Sequence, residues 1–146
     1  MENLSQITHF IARHNELLYV DELKNCHKLV YLDVSNNTLL NVNVTASLLT
    51  LQELYFDHND VTQLPRYSIG CALTTISGSH NQLTSLNSLM GLKFLTYIYM
   101  DYNEDLTAIS FLADCPKLQE VFVYGTRVTN VSALAEKGIY VVYSPV

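Results

Sequence analysis

Positive charge is scarce in this chain: its 146 residues carry 8 Lys and Arg against 14 Asp and Glu, a net charge of −6. A surface for nucleic acid or anionic membrane needs clustered lysine and arginine. The lysines here (Lys24, Lys28, Lys93, Lys117, Lys137) are scattered, so no nucleic-acid partner is expected. No apolar run reaches the length of a bilayer span, which argues against membrane insertion. Met1-Glu2-Asn3-Leu4 has neither the basic start nor the apolar stretch of a signal peptide. Only three cysteines are present, Cys26, Cys71 and Cys115. They form neither a disulfide framework nor a close-spaced ligand set, so no metal and no cofactor is expected.

What the chain does have is a ladder. Asn15, Asn37, Asn59, Asn81 and Asn103 stand 22 residues apart, each followed shortly by an aliphatic residue. The apolar positions keep the same step. Ile7, Phe10 and Ala12 lead to Asn15 and Leu17, and Leu29, Leu32 and Val34 lead to Asn37 and Leu39. Leu51, Leu54 and Phe56 lead to Asn59 and Val61, and Leu73, Ile76 and Gly78 lead to Asn81 and Leu83. Leu95, Ile98 and Met100 lead to Asn103 and Leu106, with one extra residue at Glu104-Asp105. In the sixth copy, Leu118, Val121 and Val123 lead to Thr126 and Val128.

Each position has a physical reading. The alternation at Leu32-x-Val34 or Leu54-x-Phe56 is a short strand with one apolar face. The asparagine turns the chain, and its amide satisfies backbone groups that the turn leaves unpaired inside a stack of equivalent coils. These asparagines therefore read as scaffold, with Thr126 ending the series. Gly78 removes a core side chain between Phe56 and Met100, and close packing predicts that both lean into the gap. Cys26 and Cys115 share an interior position four repeats apart, too far to bridge, and read as small buried residues. Cys71 falls one place out of that register and is expected to be free.

Apolar residues at every third place in the second half of each repeat suit a 3₁₀-like or irregular return. They are Val20, Leu23 and Cys26, then Leu86, Leu89 and Leu92, then Ile109, Leu112 and Cys115, with Leu64 and Gly70 in the third copy. Val42-Asn43-Val44-Thr45 and Pro65-Arg66-Tyr67 are expected to be extended or turned. Asn87 to Leu92 and Ser132 to Lys137 are expected to form short helical turns.

The repeat resembles the leucine-rich repeat signature L-x-x-L-x-L-x-x-N-x-L from Ile7 to Val131. The returns Leu83-Thr84-Ser85-Leu86-Asn87-Ser88-Leu89 and Val128-Thr129-Asn130-Val131-Ser132-Ala133-Leu134 resemble those of internalin-type bacterial surface proteins. The second and third returns depart from that regularity. The resemblance implies an α/β, β-rich curved solenoid with a parallel sheet on its concave face and an irregular or 3₁₀ convex side. The chain 1–146 is expected to be one such domain. Its repeats start near 7, 29, 51, 73, 95 and 118, with a partial last strand near 139–144. It starts almost inside the first repeat and ends at Ile139 to Val146, a strand-like stretch with no obvious cap, so a piece of a longer protein is expected.

The residues between the apolar strand positions point to the concave face. Tyr31, Tyr55, Tyr97, Tyr99, Tyr102, Phe122 and Tyr124 gather there. Asp33, Glu53, Asp57, Asp101 and Glu120 accompany them, against the single cation Arg13. Tyrosine gives broad, stiff contact area with a polar tip, so a binding site is expected over Tyr31, Asp33, Tyr55, Asp57, Tyr97, Tyr99, Asp101, Tyr102, Phe122 and Tyr124. The stretch from Tyr97 to Tyr124 should be contiguous. The expected occupant is a protein partner, with a glycan as alternative; an architectural spacer is the competing role. His14, His58 and His80 share a column and read as solvated strand residues. Ser77 or Ser79 with His58 or His80 and Asp57 or Asp101 contains the residue types of a hydrolase. An open sheet offers no oxyanion hole and no nucleophile elbow appears, so no catalytic residue is assigned. Sequons at Asn3, Asn36, Asn43 and Asn130 carry little weight. The internalin resemblance implies an extracellular or cell-surface location in a bacterium; the cysteine usage suits a cytoplasmic one equally.

Overall fold

The computed structural model describes residues 4–144, so the sequon at Asn3 lies outside the described residues. Seven short strands form one parallel sheet in chain order: β1 His9–Ile11, β2 Tyr31–Asp33, β3 Glu53–Tyr55, β4 Thr75–Ser77, β5 Tyr97–Tyr99, β6 Glu120–Val123 and β7 Tyr140–Tyr143. Register follows the repeat: His9, Tyr31, Glu53, Thr75, Tyr97, Glu120 and Tyr140 pair in one row across the sheet. A second row holds Ile11, Asp33, Tyr55, Ser77, Tyr99, Phe122 and Val142. The inward residues of β2 to β6 (Leu32, Leu54, Ile76, Ile98, Val121) are fully buried between sheet and returns, while Phe10 in β1 and Val141 in β7 are partly buried.

The asparagine ladder crosslinks the coils. Asn59 Oδ1 accepts from the Leu39 N–H at 2.9 Å in the preceding coil. Its Nδ2 donates to Val34 O (3.1 Å) in that coil and to Phe56 O (2.9 Å) in its own. Asn37, Asn81 and Asn103 repeat the pattern, with Leu17, Val61 and Leu83 as the donors. Asn15 differs: it is exposed and donates only to Ala12 O and Arg13 O. Thr126 bonds locally, donating to Val123 O and accepting from Val128 N.

Gly78 behaves as its neighbours require, through one of the two expected residues. A Cβ there would collide first with the Phe56 ring, which fills the space. Met100 is fully buried but is not among the atoms that such a Cβ would meet first.

The returns are mostly 3₁₀, at Asp21–Asn25, Asn43–Ser47, Asn87–Leu89 and Ser110–Asp114, with one α-turn, α1, at Ser132–Glu136. Of the extended and turned alternatives over Val42 to Thr45, the second return takes the turned one, as a 3₁₀ segment. Burial of Val42 and Thr45 at a spacing of three decides its winding, over the weak helix propensity of Val and Thr. The third return, around Pro65 to Tyr67, is irregular as expected. Gly70 is exposed there and does not fill the core. Tyr67 does, at 5% exposure, in the place that Leu23, Leu89 and Leu112 occupy in other coils. Thr45 fills that place one coil earlier, and the two hydroxyls lie 2.7 Å apart.

Thr45 has a single hydroxyl proton, which it gives to Val42 O at 2.6 Å, so Tyr67 is the donor of the pair. Burial pushes the Tyr67 phenol well above its usual pKa, keeping it protonated. Thr45→Val strands this buried donor, at a cost of about 2 kcal/mol. Tyr67→Phe removes the donor and leaves a hydroxyl still bonded to Val42, at about 1 kcal/mol. Urea midpoints of the two variants check the order; a larger loss from Tyr67→Phe contradicts it. All three cysteines are free and buried, Cys71 included.

Candidate functional site

The outward rows of the sheet hold two aromatic groups. At one end the His9 ring stacks on Tyr31 at 5.5 Å, and Tyr31 meets Tyr55 at 5.3 Å. At the other, Tyr99 meets Phe122 at 5.2 Å and Phe122 meets Tyr140 at 6.2 Å. Tyr97 lies beside them, paired in register with Glu120. Between the groups β4 presents only Thr75 and Ser77, so the face dips at its centre. The Tyr55 hydroxyl donates to Glu53 Oε1 at 2.7 Å; burial and that bond push its pKa up.

Just past the strands a row of short polar side chains closes the sheet rim. Its logic is backbone satisfaction: here every second N–H points back at the preceding coil. Asp57 N donates to Ser35 Oγ (3.2 Å), Ser79 N to Asp57 Oδ1 (2.8 Å), Asp101 N to Ser79 Oγ (3.1 Å) and Tyr124 N to Asp101 Oδ1 (2.7 Å). Ser77 Oγ also donates to Asp57 Oδ1 at 2.7 Å. Asp57 and Asp101 thus commit one carboxylate oxygen to structure. Burial pushes the Asp101 carboxyl above its ordinary pKa, against the bond from Tyr124 and the nearby His80.

Asp33 is the most covered of the expected site residues. It is 7% exposed, accepts from Ser35 N at 3.0 Å and pairs with Arg13 at 3.5 Å. With no Ser or Asp in the preceding coil to receive the Ser35 N–H, Asp33 takes that bond itself and lies low on the sheet face, covered by its neighbours.

The histidine column is also placed differently. His14, Asn36, His58, His80 and Tyr102 are not strand residues; all have φ between 55° and 60°. The chain must reverse there to aim the following asparagine inward. Such left-handed non-glycine residues are uncommon, with Asn and His enriched among them; the ladder bonds over-determine the turn. The side chains leave the concave face for its flank. His58 stacks on His80 at 4.1 Å and His80 on Tyr102 at 4.5 Å. The Tyr102 ring then lies against bare Gly125, whose φ is 72°. Tyr102 touches Tyr124 edge-on at 5.8 Å. The aromatic stretch from Tyr97 to Tyr124 is therefore two surfaces: Tyr97, Tyr99 and Phe122 on the sheet, Tyr102 and Tyr124 at the rim. The positive-φ demand one residue before each ladder asparagine is legible in the turn-forming types at that column, and went unread.

No family model matches the chain. Human lumican is 29% identical over 118 residues, covering 72% of this chain and 33% of lumican. The crystal structure of an internalin, InlF, from Listeria monocytogenes aligns with TM-score 0.83 at 18% identity, over 99% of this chain and 45% of that one. The fold is an internalin-like leucine-rich-repeat solenoid. A leucine-rich repeat protein of Leptospira interrogans aligns with TM-score 0.82 at 20% identity, over 94% of this chain and 37% of that one. The solenoid described here thus spans less than half the length of each of these three proteins.

Beside the stacked rings this solenoid carries an open polar groove of about 770 Å³, lined by Asp60, Gln63, His80, Gln82, Tyr102 and Glu104 among others. Among the described residues no three His, Cys, Asp or Glu side chains are grouped to hold a metal. The Ser77 hydroxyl is spent on Asp57, while the rings of His58 and His80 are stacked on each other at the flank.

Proposed function

We propose that this leucine-rich-repeat solenoid is a non-enzymatic recognition module that grips a protein partner with its concave face. The observation that carries this is the pairing of half-buried Tyr31, Tyr55, Tyr99 and Phe122, set in strand register, with Glu53, Asp57, Asp101 and Glu120. Tyrosine and phenylalanine held by a sheet offer contact area whose rotamer freedom is already lost, so little ordering cost remains at binding. The neighbouring folds from Listeria and Leptospira support a place on a bacterial surface or in its secretions. Among the described residues no helix is long and apolar enough to cross a membrane.

Replacing Tyr97, Tyr99 and Phe122 together by alanine is expected to weaken partner capture by at least about tenfold, with the β-sheet signal in circular dichroism retained. Crosslinked capture by the protein, compared with that by the triple variant, measures this. Unchanged capture points to a spacer role. A glycan-array signal that the triple variant loses, without any protein captured, assigns the face to sugar.

A further inference from the structure

The dip at β4 has a defined shape and chemistry. Thr75 and Ser77 are short, while Tyr55 on β3 and Tyr99 on β5 flank Ser77 in the same row. Two strand spacings put the flanking tyrosines about 10 Å apart at their backbones. The Tyr99 phenol is close enough to add to the rise in the Tyr55 pKa that burial and Glu53 cause. Carboxylates ring the dip: Glu53 on β3, Asp57 and Asp101 at the rim, and Glu120 two strands on. In each rim aspartate the bonds described fall on Oδ1. The only lysine or arginine on this face, Arg13, is engaged with Asp33. Thr75 supplies an independent sign. It is 9% exposed and its hydroxyl has no partner among the described residues. No polar side-chain atom among those residues is sealed from solvent without a bond, so that hydroxyl opens onto the dip.

We infer that this dip receives a cationic side chain, an arginine best, from a basic segment of the protein partner. The inference rests on the concave face being the recognition surface. A flat guanidinium fits between two phenol faces and gives its fork of N–H donors to the Thr75 hydroxyl and the surrounding carboxylates. A cation there favours the charged Asp101 carboxylate and so offsets the effect of its burial.

The test is amide shift mapping by NMR with a short Arg-Gly repeat peptide and a Glu-Gly repeat peptide as probes. The Arg-Gly peptide is expected to move the amides of Tyr55, Thr75, Ser77 and Tyr99, and the Glu-Gly peptide to leave them in place. Thr75→Val and Glu53→Gln, changes that keep shape, should each weaken the Arg-Gly peptide about fivefold. Equal shifts from both peptides, shifts confined to the flank groove near Asp60 and Glu104, or no shifts each overturn the inference. If the Tyr97, Tyr99 and Phe122 variant loses the partner while the Arg-Gly peptide leaves the dip untouched, recognition by this face stands and the cation site alone falls. If partner capture survives that triple variant, both fall.

Discussion

Asn59→Ala is expected to lower the unfolding free energy by about 3–4 kcal/mol and the melting temperature by about 10 °C. The substitution removes one acceptor and two donors at once, and the groups they served are buried. Leu39 N loses its partner, while Val34 O and Phe56 O each lose one of two asparagine donors and keep those of Asn37 and Asn81. Alanine cannot replace the bonds, so the cost is that of the stranded Leu39 N–H, about 1–3 kcal/mol, together with two lost donor bonds of about 0.5–1.5 kcal/mol each. Asn15→Ala is the internal control. Its bonds are local and its side chain is exposed, so a change within about 0.5 kcal/mol is expected. Chemical denaturation of both variants measures the contrast. Equal losses at the two positions would show that the ladder's worth lies in turn propensity and not in burial.

Gly78→Val should cost about 2–3 kcal/mol by overpacking, although valine is the commoner residue for a strand. The first added carbon meets the Phe56 ring, and Phe56 is fully buried with no free space to retreat into. The collision is one-sided and therefore repairable. In Gly78→Val with Phe56→Leu, the smaller neighbour yields the volume that valine takes, and most of the loss should return. A coupling free energy of at least about 1 kcal/mol is expected from the double-mutant cycle. Additive losses would mean that Gly78 is needed for its backbone and not for the space it leaves.

The repeat was legible because each of its positions answers to a local demand repeated in every coil. Leu54 and Ile76 must face inward, and Asn59 and Asn81 must satisfy the turn, so a period of 22 names strand, turn and core together. The returns were read less well. Asn43–Ser47 winds as a 3₁₀ turn because its neighbours bury Val42 and Thr45, which outweighs propensity. Tyr67 sits in the core because Thr45, 22 residues earlier, is short enough to admit its ring and polar enough to bond it. A reading of each coil in isolation does not show that complementarity.

The chain alone determined the architecture and the membership of the sheet face, since alternation along a strand decides which side chains face out. The tertiary structure decided what those side chains do. Stacking the coils at strand spacing set Tyr99 against Phe122 and opened the dip at Thr75 and Ser77. It engaged Asp33 with Ser35 N and Arg13 and spent one oxygen each of Asp57 and Asp101 on neighbouring backbone. The left-handed turn sent Tyr102 to the flank with His58 and His80. The reason is that these outcomes depend on pairs 20 to 23 residues apart. Whether a carboxylate is free or committed rests on what the adjacent coil offers it.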